Sequence, residues 1–310
     1  MKKHMLALLT LLLVPLCSCT TKSEGGVDAE EFTNLQAINY SNMGIMGENC
    51  DGEVYYASLN SDEGGLVKIS QGTEEQVLLG DIGSIYMYQD ELYYTAYDQK
   101  GLYCLKDGNI SSITSFDVRS MARSGRYLYI IADDDENEKY VLQMKSVDES
   151  SFTEIQDIPN DIKLKQVFPA SGGAYVAGND RNNNGVIYFL EETRKTEVVA
   201  TIPEPIRKIF FTYDILYAVT DNNIYQVLDD GSYTSISNEF SGVYTAVTAY
   251  DGKIIYTTIG EKVGVVQHDI ESGKEKLLSR TPYLQIYVIG GELVGVSLNI
   301  EEGVLAEKFK

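Results

Sequence analysis

Asp180-Arg181-Asn182-Asn183-Asn184-Gly185, with Glu191 six residues beyond the glycine, is the stretch of this sequence that comes nearest to an ion site. Oxygen ligands at alternate positions wrap a calcium ion in an EF-hand loop, and the glycine permits the sharp turn. Asp180, Asn182 and Asn184 are therefore the candidate ligands, and calcium the candidate cofactor. Closing the shell requires the glutamate. Residues 186–190 read as a strand, which at about 3.3 Å per residue carries Glu191 some ~17 Å away, and the ninth loop position holds Tyr188. An Asn-rich hairpin turn accounts for the same residues. The run Asp133-Asp134-Asp135-Glu136-Asn137-Glu138 either helps to hold a divalent ion or is a solvated acidic surface.

A second constellation is cationic. Arg119, Lys165 and Arg207 each lie ten residues before the positions 129, 175 and 217, which centre three similar strands. Ser84 and Gln285 occupy the corresponding places before positions 94 and 295. Converging cations in an acidic protein suit an anionic ligand, a carboxylate or phosphate held by forked hydrogen bonds. Their alternative is pairing with neighbouring Asp and Glu.

Catalytic chemistry has little to work with. His4 and His268 are the two histidines of the chain, so a His metal cluster or a His-paired nucleophile is hard to assemble. Gly-x-Ser-x-Gly, a phosphate-binding glycine loop and Cys-x-x-Cys are absent, and the chain has no Trp. Carboxylate pairs are made in three dimensions, so a lyase or glycosidase acting on an anionic glycan or small acid stays open as the alternative to a binding module.

The elements that must position these residues repeat along the chain. Leu92-Tyr93-Tyr94-Thr95 is followed by Leu102-Tyr103-Cys104-Leu105 and the turn Asp107-Gly108. Tyr and Thr favour a pleated, part-buried surface, and Asp-Gly signals a hairpin. Equivalent strands centre on residues 56, 94, 129, 175, 217, 256 and 295, spaced by 38, 35, 46, 42, 39 and 39 residues. A period of about 40 residues with four strands in each unit is the plan of a propeller blade. Leu92, Tyr94 and Ala96 face one way, and Tyr93, Thr95 and Tyr97 the other. Both faces carry large side chains, as a sheet sandwiched between two neighbours requires. The 23 tyrosines are then core residues whose hydroxyls find partners. The expected fold is all-β, a seven-bladed β-propeller, with six or eight blades as alternatives. Because the seventh repeat ends after three strands, residues 31–38 are expected to add the closing strand and remove an exposed edge.

The N-terminus carries an address. Met1-Lys2-Lys3-His4 is basic, the following run to Leu16 is apolar and too short to span a bilayer, and Leu16-Cys17-Ser18-Cys19 resembles a bacterial lipobox. The expected organisation is a lipoprotein signal peptide over 1–18, lipid on Cys19, a flexible tether over 19–30 and the propeller over 31–310. That places the protein outside the cytoplasm, anchored to the membrane of a bacterial cell envelope through its lipid alone. A formal charge of -21 repels nucleic acid and anionic headgroups. The expected partner is an envelope protein or a small anionic ligand. Cys50 and Cys104 either form a disulfide or stay as two buried thiols.

Glu91-Leu92-Tyr93-Tyr94-Thr95 and Gly101-Leu102-Tyr103-Cys104-Leu105-Lys106-Asp107-Gly108 resemble YWTD-type propeller repeats of low-density-lipoprotein-receptor-like proteins. They are closer still to bacterial lipoproteins of unknown function with such a propeller. The resemblance covers most of the chain after the leader, with Tyr or Ile in place of the family's Trp. It implies an adhesive or ligand-binding role and carries over no catalytic residue. The family's propellers usually have six blades, against the seven repeats counted here.

Overall fold

The computed structural model describes residues 44–58, 64–134, 139–236, 243–260, 263–299 and 303–309. Among them there is no helix, and 27 strands fall into seven antiparallel sheets. Blade 1 holds β1 (Met46–Glu48), β2 (Val54–Ser58), β3 (Gly65–Ser70) and β4 (Thr73–Leu79). Blade 2 holds β5 (Ile82–Tyr88), β6 (Glu91–Ala96), β7 (Leu102–Lys106) and β8 (Asn109–Thr114). Blade 3 follows with β9 (Val118–Ser124), β10 (Tyr127–Asp134), β11 (Lys139–Ser146) and β12 (Thr153–Glu154). Blade 4 has β13 (Lys163–Ala170), β14 (Gly173–Asn179), β15 (Gly185–Glu191) and β16 (Thr196–Ile202). Blade 5 has β17 (Lys208–Thr212), β18 (Ile215–Val219), β19 (Ile224–Val227) and β20 (Tyr233–Ser235). Blade 6 has β21 (Val243–Tyr250), β22 (Lys253–Ile259), β23 (Gly264–Asp269) and β24 (Glu275–Ser279). Blade 7 ends the chain with β25 (Gln285–Ile289), β26 (Glu292–Asn299) and β27 (Gly303–Phe309). The protein is a seven-bladed β-propeller, and the six-bladed count that the YWTD resemblance implies does not describe it.

Each blade runs in chain order from its first strand outward, and the first strands of successive blades pack around the centre. Every first strand therefore starts on one face of the disc, called the upper face here, and turns on the lower face. The lower turns are tight. Tyr213 and Asp214, Asp251 and Gly252, and Gly290 and Gly291 all have positive φ at both turn positions, the conformation whose twist matches that of the flanking strands.

The inner two strands of each blade are buried on both faces. Leu92, Tyr93 and Tyr94 are consecutive and all buried, as are Leu128 to Ala132 in β10. Tyr86, Phe168, Phe210 and Tyr287 hold equivalent sites two residues before the ends of their inner strands and rank among the largest fully buried side chains. The two tyrosines of that set keep their hydroxyls satisfied across the blade boundary. Arg123 N donates to Tyr86 Oη at 3.2 Å, and Ile45 N donates to Tyr287 Oη at 2.9 Å. The latter bond joins blade 7 to blade 1. Gly290 N adds a second link there, donating to Glu48 Oε2 at 2.7 Å.

The closing strand expected over residues 31–38 lies outside the described residues, as do the leader, Cys19 and the tether. Cys50 and Cys104 are free and buried, so no disulfide joins them.

Candidate functional site

The upper mouth of the ring is built from one repeated irregularity. In blade 3, Ile131 pairs with Ser120 and Ala132 with Val118, so Arg119 is left over. In blade 4, Leu164 and Gln166 pair with Gly178 and Ala177, leaving Lys165. Gly83 and Thr245 are passed over in the same way in blades 2 and 6. In blade 5, Arg207 N donates to the carbonyl of Val219, which is already opposite Lys208, and Leu284 does the same at Val296 in blade 7. Two residues facing one is a β-bulge. It releases a single side chain per blade at the start of the inner strand.

The three sequence-derived cations are thus equivalent in structure, at the bulge of three consecutive blades on one face. The two arginines are not free charges. Arg119 donates through Nε and Nη2 to Asp133 Oδ2 at 3.2 and 2.8 Å, approaches Asp117 at 3.4 Å and lies over the Tyr140 ring. The hydrogen bond to Asp133 and the two carboxylate charges push its pKa up further. Arg207 pairs through Nε with Asp221 at 2.8 Å and donates through Nη1 to Tyr244 O at 2.9 Å. Lys165 is exposed and makes no hydrogen bond or ion pair among the described residues. About half of each arginine side chain stays in solvent (53% and 52%), so these pairs contribute little to stability and remain open to exchange.

Ser84 and Gln285 belong to a different ring, one residue further in. Ser84 Oγ shares a hydrogen bond with Thr95 Oγ1 at 2.9 Å, and Gln285 Oε1 accepts from Tyr287 Oη. Their equivalents are Ser120, Gln166 and Lys208, which counting back ten residues missed because the strand centres at 129, 175 and 217 sit one residue nearer their turns than those at 94, 256 and 295. Counting back from the turns Ser171-Gly172 and Tyr213-Asp214 recovers the inner set. These side chains sew blade to blade. Ser120 Oγ accepts from Val167 N at 3.1 Å, and Gln166 both accepts from Ile209 N at 2.6 Å and donates to Ile209 O at 3.0 Å. Lys208 Nζ donates to Val247 O at 2.8 Å. Its ammonium is enclosed by protein, and that burial pushes its pKa down to about 8.

The Asn-rich loop sits on the upper face between β14 and β15. Asp180 Oδ1 accepts from the backbone N of Asn182 and of Asn184, each at 2.8 Å, and Oδ2 accepts from Asn184 Nδ2 at 2.9 Å. The Asn184 side chain first, then these amides, hold the carboxyl below its ordinary range. Both oxygens that a cation would need are committed within the turn. Glu191 ends β15 at the lower face, accepting from Thr193 Oγ1. Gly185 has its own packing reason: a Cβ there would meet Ile206 Cγ1 at 2.3 Å and Glu204 O at 2.9 Å. No group of three His, Cys, Asp or Glu side chains able to hold a metal occurs among the described residues. Of the acidic run on blade 3, Asp133 is the ion-pair partner of Arg119, and residues 135–138 lie outside the described set.

Large exposed apolar side chains accompany the charges on the upper face. Leu79 (81% exposed) and Tyr97 (73%) stand highest, with Phe116, Tyr140, Val263 and Leu284 on other blades. On blade 3 they interleave: Phe116 adjoins Asp117, and Tyr140 lies against Arg119.

An Arg–Tyr–carboxylate cluster does exist, on the opposite face. Arg123 of blade 3 forms an ion pair with Glu91 of blade 2 and donates to Tyr93 Oη at 2.7 Å, while Tyr93 Oη donates to Glu91 Oε2 at 2.7 Å. Arg123 also lies 4.5 Å from the Tyr88 ring centre. Both charged side chains are 14% exposed, and Glu91 Oε1 also accepts from Lys106 Nζ at 2.8 Å. This is a clamp between blades.

No protein-family model matches the sequence, and no curated protein matches it. Solved structures do. A puromycin-hydrolysing peptidase of Mycobacterium tuberculosis aligns over 94% of this chain and 54% of its own, with TM-score 0.64 and 13% identity. The extracellular domain of the hybrid two-component system BT4673 from B. thetaiotaomicron aligns over 87% of this chain and 38% of its own, with TM-score 0.61 and 14% identity. The AfRom2 CNH domain aligns over 87% and 94%, with TM-score 0.61 and 11% identity. The chain spans about half the peptidase and less of the BT4673 extracellular domain. At such identities the likeness shows the fold alone, and the class it defines is the β-propeller.

Proposed function

We propose that this protein is a lipid-anchored, extracytoplasmic docking module whose upper face binds an envelope protein. The observation that supports this most is that the two most exposed large apolar side chains, Leu79 and Tyr97, stand on this face, which also carries Phe116, Leu284 and half-exposed, exchangeable ion pairs. Aromatic and Arg side chains set in a polar surround are the composition of protein-recognition patches. The lipobox at Cys19 and the polar tether over 19–30 supply the anchor. The likeness of the repeats to YWTD-type bacterial lipoproteins points to the same adhesive role.

Two experiments test the reading. Labelled fatty acid should enter the wild-type chain and not Cys19→Ser. Native envelope extracts, passed over the lipidated protein with and without chelator, should yield a partner that is lost with Tyr97→Asp or Leu284→Asp and kept with Ile110→Asp on the lower face. Equal capture by the upper-face variants would refute the docking surface.

A further inference from the structure

His268 and Glu275 stand opposite each other at the lower end of the ladder between β23 and β24, the two outer strands of blade 6. The position is enclosed, with the two side chains 8% and 5% exposed. Val266, two residues back on the same face of β23, belongs to the apolar cluster that holds Phe210 and Tyr217 of blade 5. The pair therefore lies between blades 5 and 6. Tyr256, fully buried on β22, donates from Oη to Glu275 Oε1 at 2.7 Å and meets the Tyr244 ring edge-on at 5.1 Å. Burial first, and then the bond to Glu275, push the Tyr256 pKa up.

The contact is unfinished. His268 Nδ1 is buried with no hydrogen-bond partner among the described residues, and Glu275 Oε1 stands 3.6 Å away. An unpaired nitrogen at this depth requires a reason. A neutral imidazole has one N–H and one bare nitrogen, whereas the protonated ring donates from both. With the proton on Nε2 alone, the Nδ1 lone pair faces a carboxylate. A second proton turns the same contact into a charge-assisted hydrogen bond once the gap closes by about 0.7 Å.

The other titratable groups around His268 are engaged elsewhere or exposed. Asp269 Oδ1 accepts from Ser272 N at 2.8 Å and Ser272 Oγ at 2.5 Å, and Lys253 pairs with Asp251. Glu271 and Lys274, in the turn between the two strands, are exposed. Blade 5 presents buried Tyr217 and also Tyr213, whose Oη accepts from Gly252 N at 2.5 Å, while its Asp214, Asp229 and Asp230 are exposed.

We propose that His268 and Glu275 form an acid-closed latch on the outer hairpin of blade 6. Among the described residues β24 has a neighbouring strand on one side only. Its lower end depends on this pair and on the turn, where Ile270 N donates to Gly252 O at 3.0 Å. Proton uptake that gains a partner in the native state and none in the unfolded chain favours the native state. The hairpin thus tightens as pH falls through the range in which histidine takes up its proton, and loosens as pH rises through it.

Amide hydrogen exchange of residues 275–279 in the whole chain tests this at about pH 5.5 and about pH 7.5, each rate taken relative to an unstructured peptide at the same pH. Protection is expected to be at least threefold higher in acid, with the outer strand β16 of blade 4 unchanged. His268→Gln and Glu275→Gln should each abolish the difference. Nitrogen NMR of the imidazole, with His4→Gln to leave one ring, should show His268 gaining its second proton over the same range, a measurement that needs neither latch variant to fold. Equal protection of the unaltered chain at both pH values overturns the proposal. So does an undiminished difference in His268→Gln, or a ring that keeps one charge state throughout. None of these outcomes touches the upper-face docking proposal.

Discussion

Gln166 joins two blades with one side chain. It is fully buried, and its amide satisfies both the N–H and the carbonyl of Ile209 in the next inner strand. Truncation to Ala leaves those backbone groups buried and unpaired, so Gln166→Ala should destabilise the protein by about 2–4 kcal/mol in urea titrations. Lys208, at the equivalent place in the next blade, makes a pH prediction. Its pKa lies at about 8 when folded, against 10.5 for an ordinary lysine. Between those values the unfolded chain holds a proton that the native state has released, so stability rises with pH there. The increment should be visible from pH 8 to about 9.5 and should flatten in Lys208→Met. Neither residue was legible as special in the sequence, because its role depends on the register of a neighbouring blade. Arg119, Lys165 and Arg207 were legible as a matched set. Their carboxylate partners were not, since Asp133 and Asp221 come from the far ends of adjoining strands.

At the scale of strands, the clamp between blades 2 and 3 is the contact most open to test. Removing one member of a buried ion pair strands the other, which typically costs about 3–5 kcal/mol. Arg123→Met should fall below that range, because Glu91 keeps Lys106 at 2.8 Å and the pair is 14% exposed. The double variant Arg123→Met with Glu91→Leu should recover most of the loss, as a double-mutant cycle would show. An additive double variant would mean that the two side chains act separately. Strands and turns were readable because Tyr-rich β segments alternate with Asp-Gly and Gly-Gly turns at a steady interval, and neither signal needs tertiary information. The bulges were not readable. Bulge residues as unlike as Gly83, Arg119 and Leu284 share no side-chain signature, and only the pairing of β-strands reveals them.

For the molecule as a whole, closure decides stability. Blade 7 has three strands among the described residues, and blade 7 meets blade 1 through Tyr287 with Ile45 and Gly290 with Glu48. Deleting residues 31–38 should lower the melting temperature by several degrees, because the outer edge of β27 would lose the strand proposed to cover it. An unchanged melting curve would dismiss that closing strand. Seven blades were countable from seven repeats, against the six that the family resemblance implied. The repeat was the better guide, because ring size follows from the number of units packed and not from the likeness of any one unit.

A side chain at a bulge is left out of the cross-strand pairing register. Six blades each hold one such position at the upper mouth, occupied by Gly83, Arg119, Lys165, Arg207, Thr245 and Leu284. Of those sites Lys165 and Leu284 are exposed, whereas Thr245 Oγ1 donates to Tyr283 O at 3.1 Å and a Cβ at Gly83 would meet Thr95 Oγ1 at 2.9 Å. If the upper face is the docking surface proposed above, exchange at Lys165 and Leu284 would alter what it binds while the ring of sheets beneath stayed the same.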